Sequence, residues 1–177
     1  MNKTIAMLVA GGLASVLASS AAWAGPQYVD DSGYAVSGYD VVAYFDMNTS
    51  PIGEPPAAVP GSTEFTAEHN GAVFAFSSAA NRERFLNEPA RYAPQFDGHC
   101  AFGVAKGGKV PGDPNLWRIV DGKLYLNLQK SVAEMWLADI PGNVATAETN
   151  WPNIEAAPAS DRQVPELPAN DPAPERR

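Results

Sequence analysis

The sequence predicts a small single α+β domain with two β-hairpins and several short helices. Two apolar stretches meet at Asn70-Gly71 and two more at Asp121-Gly122. Asn-Gly and Asp-Gly are the pairs a type I′ hairpin turn selects, because both central residues take positive φ. Short helical patterns lie between the hairpins. No strand–helix–strand crossover of sufficient length occurs, which points away from a parallel sheet.

Residues 1–24 read as a signal peptide. Lys3 gives a positive start, residues 5–18 an apolar run broken by Gly11-Gly12, and Ala22-Trp23-Ala24 a small-residue cleavage site. The run is short and too rich in Gly and Ser for a membrane span. Gly25, not a cysteine, stands directly after the cleavage site and no twin arginine precedes it, so the expected product is unanchored and exported unfolded. The expected location is periplasmic or secreted, with no membrane association after cleavage. The chain has 177 residues and a formal charge of −8, one unit more negative once Lys3 is lost. That acidity disfavours nucleic acid and anionic membranes as partners.

Residues 25–37 read as a lead-in segment, 38–154 as the domain and 155–177 as a tail. The short apolar run Val41-Val42-Ala43-Tyr44-Phe45 reads as a buried strand. Four prolines make 50–62 a loop. Pairing across Asn70-Gly71 sets His69 opposite Ala72, Ala67 opposite Phe74 and Phe65 opposite Phe76, with His69 on the core side at the turn. Ser77-Ser78 offer a cap for a helix through 81–86, with Phe85 and Leu86 as its core contacts. Residues 89–94 read as a single turn carrying Tyr92, and 101–106 as a short helix.

In the second hairpin Trp117, Ile119, Leu124 and Leu126 share one face. Arg118, Val120, Lys123, Tyr125 and Asn127 share a more polar one. Ser131 and Glu134 suggest a capping box, with Val132, Met135 and Trp136 on one helical stripe. A last helix is expected over 144–151, closed by Pro152. Beyond it, prolines among charges with almost no large apolar residues predict a disordered tail. No internal repeat is visible.

The candidate chemistry centres on Asp97-Gly98-His99-Cys100. Cys100 is the single cysteine. It has no intramolecular disulfide partner and stands as a buried small hydrophobe, a metal ligand or a reactive thiol. Were Asp97 to cap a helix, Cys100 would lie in its first turn, where the dipole lowers a thiol pKa and the carboxylate raises it. Adjacent side chains diverge, so His69 from the hairpin is a better second partner than His99. The metal reading is Cu or Zn held by Cys100 with His69 or His99, Asp97 assisting. A periplasmic metal or redox partner protein would then serve it.

A thiol-redox protein using Cys100 is an alternative, and it needs an external resolving thiol. A Cys–His hydrolase has neither base nor oxyanion hole specified. The non-catalytic alternative is a small-molecule or protein-binding module lined by Trp117, Tyr125, Trp136, Tyr92 and Phe102. Catalysis is the less expected outcome.

A series of motifs in order resembles the exported YHS-domain family, which includes selenoproteins. It comprises Gly38-Tyr39-Asp40-Val41-Val42-Ala43-Tyr44-Phe45, His69-Asn70-Gly71, Phe74-Ala75-Phe76-Ser77-Ser78, Asn81-Arg82, Phe85 and Pro89-Ala90-Arg91-Tyr92-Ala93-Pro94-Gln95. Gly98, Cys100-Ala101, Asp113-Pro114, Trp117, Asp121-Gly122-Lys123-Leu124-Tyr125-Leu126-Asn127 and Asn150-Trp151-Pro152 continue it. The resemblance spans about residues 33–152 and implies a small exported α+β domain associated with metal. Relatives of the metal-binding kind carry F-C-S-x-x-C where this chain reads Phe76-Ser77-Ser78-Ala79-Ala80. Asp97 and His99 stand where Gly and Tyr are more usual.

Overall fold

Each Asx-Gly pair turns a hairpin where the sequence places one. In the computed structural model, which describes residues 27–47 and 55–161, β1 (Ser62–His69) pairs antiparallel with β2 (Ala72–Phe76). β3 (Asp113–Val120) pairs likewise with β4 (Lys123–Asn127). All four turn residues take positive φ, from 49° at Asp121 to 75° at Gly71, as a type I′ turn demands. The signal peptide expected at residues 1–24, the loop residues 48–54 and the tail beyond 161 lie outside the described residues.

The registers follow the alternation of side chains. His69 faces Ala72 and Ala67 faces Phe74; Trp117 faces Leu126 and Ile119 faces Leu124. One expected pair fails. Phe76 pairs with Ser62 rather than Phe65, because the register shifts between Ser62 and Thr66. A bulge of this kind bends the strand and sharpens its twist. The second hairpin shifts at the matching place, between Asp113 and Trp117.

The helices are α1 (Ala79–Asn87), α2 (Pro89–Tyr92), α3 (Ala101–Ala105), α4 (Lys130–Leu137) and α5 (Ile140–Ile154). Ser78 caps α1 by accepting from the Asn81 N–H, and Phe85 is buried. Leu86 instead faces outward, 47% exposed. Gln129 precedes α4 and makes no side-chain cap. The helix starts at Lys130, so Ser131 already lies inside it and the Ser131–Glu134 box does not form. Trp136 is buried but Met135 is 49% exposed. Asp139 caps α5 through the Gly142 N–H, and α5 runs through Pro152 to Ile154. Trp151 and Ile154 pack on the core from that last turn, and this burial offsets the one N–H that Pro152 lacks near the helix end.

One further expectation is corrected, and two segments prove more buried than their composition suggests. Val41 and Val42 are buried, but residues 41–45 form no strand; a 3₁₀ turn spans Ala43–Asp46. Asp40 sets it, its Oδ1 accepting from the N–H groups of Val42 at 2.9 Å and Ala43 at 3.2 Å. The lead-in is part of the core: Tyr28, Ala35 and Val36 are each 2% exposed or less. The more polar face of the second hairpin is buried too, at Arg118, Tyr125 and Asn127.

A repeat invisible in the sequence is visible in the backbone. Val36-Ser37-Gly38 and Phe96-Asp97-Gly98 each take three left-handed conformations in a row, φ 51°, 51°, 78° and 56°, 52°, 77°. Tyr39 then bridges Pro60, and His99 bridges Pro111. The Asp40 N–H donates to Val59 O at 2.8 Å, and the Cys100 N–H to Val110 O at 2.9 Å. The N–H groups of Gly61 and Gly112 donate to the carbonyls of Gly38 and Gly98. Each unit continues into a bulged hairpin and a helix whose buried aromatic is Phe85 or Trp136. Val-Pro-Gly, at 59–61 and 110–112, is the longest identity the two share.

The core follows this arrangement. One cluster gathers Tyr44, Phe74, Phe76, Phe85, Trp117, Leu124 and Leu126 among others; the second holds Phe96, Val104, Tyr125, Trp136 and Ala147. β4 lies between them, its alternate side chains serving one cluster each.

Candidate functional site

Cys100 follows a left-handed turn and is itself the N-cap of α3, its sulfur accepting from the Gly103 N–H at 3.3 Å. Asp97 therefore does not cap this helix. Asp97 sits at φ 52° inside the turn, three residues too early. The thiol points at Asn127 Oδ1, 3.6 Å away, and donates to it. Cys100 is fully buried. Burial pushes its pKa up, while the backbone N–H groups of Gly103, Leu128 and Phe102 pull the other way.

His99 points elsewhere. Its Nδ1–H donates to Phe96 O at 2.9 Å, since a carbonyl can only accept. Its Nε2 accepts from the main-chain N–H of Ser160 at 3.2 Å. The ring is therefore the neutral Nδ1–H tautomer. It is fully buried, Tyr28 standing edge-on at 5.8 Å and Trp151 tilted at 6.2 Å. Burial takes its pKa down to about 4, the Phe96 hydrogen bond working against that and Lys109 with it.

Asp97 anchors the lead-in through its own carbonyl, which accepts from the Tyr28 N–H at 2.8 Å and Gln27 Nε2 at 2.7 Å. Its Oδ1 accepts from Asn70 Nδ2 at 3.0 Å. The buried Oδ2 has no hydrogen-bond partner among the described residues. Burial raises this carboxyl to about 6, with Lys109 and the Asn70 bond opposing and Glu155 adding. His69 lies at the turn end of the first hairpin, partly buried, edge-on to Phe85 at 5.6 Å. Burial lowers its pKa.

The four candidate ligands are therefore not gathered. Among the described residues no group of three or more His, Cys, Asp or Glu side chains is arranged to hold a metal ion. The sulfur faces Gly103 and Asn127, both His99 nitrogens are engaged, His69 packs on Phe85, and Asp97 turns to Asn70. As arranged, these residues do not fit the thiolate–imidazole set that Cu or Zn requires. A Cys–His nucleophile fares no better, since neither ring nitrogen of His99 is available to the thiol.

The residues that sequence reasoning missed lie around His99. Lys109 Nζ donates to Glu155 O at 3.1 Å and Ala157 O at 2.8 Å, and stands 5.2 Å over the Trp151 ring. It caps the C-terminal end of α5, where carbonyls lack partners and a cation is favoured. Residues 155–160 thus lie across the His99 face instead of leaving the domain at once. They are held by main-chain groups: Ala156, Ala157 and Pro158 are exposed. Glycines and a lone lysine at 107–109 gave no signal of this. Among the described residues, no helix is long and apolar enough to cross a membrane. In comparisons with family models, curated proteins and solved structures, nothing matches this chain.

Proposed function

We propose that this chain is an exported, YHS-type domain that acts as a non-catalytic protein-binding module. Its binding face is built from His99, Lys109, Trp151 and Tyr28, and its ligand is an extended polypeptide segment. One observation carries the reading: His99 accepts a backbone N–H and Lys109 donates to two backbone carbonyls of the same stretch, residues 155–160. An acceptor and a donor set beside aromatic rings is how a surface holds main chain without reading its sequence.

The family assignment rests on the ordered motif series. Asp40, Phe74, Phe85 and Trp117 of that series are core residues here, so the resemblance falls on positions that the fold needs. Export rests on the features of residues 1–24. Cu or Zn binding through Cys100 is the weaker reading, because it requires the sulfur and an imidazole to leave their present partners.

The test uses the mature chain truncated after Ile154 and a synthetic peptide of residues 155–161, followed by NMR. A tethered segment has a local concentration on the order of millimolar, so the free peptide is expected to bind weakly. Saturable shifts at His99, Lys109 and Trp151 are expected, and smaller ones in the untruncated chain. Peptide-independent spectra of the truncated chain would sink the proposal.

A further inference from the structure

The two units differ at one equivalent position that matters chemically. Asp40 follows the first left-handed turn and Cys100 the second, each donating its N–H to the valine of a Val-Pro-Gly. The Asp40 carboxylate is fully buried and has five donors. Oδ1 takes the N–H groups of Val42 and Ala43; Oδ2 takes the Ser77 N–H at 2.8 Å, Ser77 Oγ at 2.6 Å and Asn81 Nδ2 at 2.7 Å. The carboxylate thereby ties the 3₁₀ turn, the end of β2 and the start of α1 together.

Around Cys100 the same backbone donors recur. Phe102 and Gly103 stand where Val42 and Ala43 stand, and Leu128, just past β4, where Ser77 follows β2. Of these, the Gly103 N–H donates to the sulfur at 3.3 Å, and all three lower the thiol pKa against the effect of burial. Only the side-chain donors are gone, with Leu128 in place of Ser77 and Val132 in place of Asn81. Asn127 makes up the difference, its Oδ1 accepting from the thiol and from the Phe102 N–H at 3.3 Å.

We propose that Cys100 is the second unit's counterpart of Asp40, a buried acceptor that closes a nest of backbone N–H groups, and that the nest accepts a carboxylate in its place. The role is to join α3, β4 and the segment leading into α4. This makes the single cysteine a fixture of a duplicated fold, independent of what the His99 face binds. A neutral thiol suffices because Asn127 supplies its acceptor. A carboxylate is accommodated by turning the Asn127 amide over. Its Nδ2 then donates to the carboxylate, and the Phe102 N–H moves to the new oxygen, as Val42 does to Asp40.

The experiment compares Cys100→Asp, Cys100→Ala and the parent in the full mature chain. Thermal unfolding is expected to rank Cys100→Asp above Cys100→Ala, although aspartate introduces a buried charge. The amide protons of Gly103 and Leu128 are expected to shift downfield in Cys100→Asp, toward those of Ala43 and Ser77. In the parent, the same two amides are expected to exchange slowly. The proposal is overturned if Cys100→Asp fails to fold or melts below Cys100→Ala. Unmoved Gly103 and Leu128 resonances, or exchange in the parent as fast as in an open loop, overturn it equally.

Discussion

The Ser160 N–H donates to the buried Nε2 of His99 across 3.2 Å, while Nδ1–H of the same ring is committed to Phe96 O. Protonating this imidazole would set two donors against each other. The ring therefore serves as a fixed acceptor only while it stays neutral, and burial keeps it so.

Acid should expose this dependence. The folded His99 pKa of about 4 lies below the unfolded 6.5, so the unfolded chain binds the extra proton between those values. The stability His99 contributes is complete above 6.5 and is lost as pH falls toward 4, about 3 kcal/mol in all. Replacing His99 with Gln should flatten this part of the urea-midpoint profile against pH. An unchanged profile would show that the ring titrates as if exposed.

Asp97 works in the opposite direction. Its folded pKa of about 6 lies above the unfolded 3.8, so the stability of its protonated form is present below 3.8 and lost as pH rises through 6. Asp97→Asn should stabilise the domain at pH 7 by about 1–2 kcal/mol, after discounting for the solvent that still reaches this group. The gain should fade as pH drops from 6 to 3.8. A gain independent of pH would point to another cause.

Asp40 is where loss should be greatest. Asp40→Ala removes the acceptor of five hydrogen bonds and strands buried N–H groups at the turn and at Ser77. We expect a cost of roughly 3–5 kcal/mol, read from chemical unfolding. A cost under about 1 kcal/mol would mean water replaces the carboxylate.

The hairpins and α1 were legible because their signals are local: Asx-Gly fixes a turn, and Ser78 fixes a cap. The 41–45 run was misread because a short apolar stretch cannot be told from a buried turn without Asp40's remote partners Ser77 and Asn81. Asp40 looked like part of a motif, not the acceptor that winds the chain. The duplication escaped because the units share backbone conformation rather than residues. Phe85 answers to Trp136, and Asp40 to Cys100. The site was half legible. Asp97, His99 and Cys100 stood out by residue type, but Tyr28, Lys109, Trp151 and Ser160 reach His99 from distant parts of the chain, with no periodicity to announce them.

Cys100 should behave as an inert thiol. It is fully buried and its pKa is raised, so alkylation of the native protein at neutral pH should be far slower than after denaturation. Titrations of Cu(I) and Zn(II) should give the same weak binding in the parent and in Cys100→Ser. Tight binding that disappears in Cys100→Ser would restore the metal reading and show that the sulfur leaves Asn127.

The last expectation separates two reasons for glycine. A Cβ on Gly112 would lie 2.6 Å from Leu126 Cβ and 2.7 Å from Gly98 O, and one on Gly61 would lie 2.6 Å from the backbone carbon of Ala75. Neither carries a positive φ, so both are glycine because the chain passes against the neighbouring strand, at matching places in the two units. Gly71 is the contrast, with φ +75° and nothing within 4 Å of its Cβ. Gly71→Ala should cost about 1 kcal/mol of left-handed strain. Gly61→Ala and Gly112→Ala must displace backbone and should cost more, about 2–3 kcal/mol each. Gly112→Ala also presses on Gly98 O, which accepts the Gly112 N–H and lies in the turn before His99. It should therefore shift the His99 and Cys100 resonances, while Gly61→Ala leaves them in place. Equal costs at all three glycines would show that the units lack the close approach which defines their repeat.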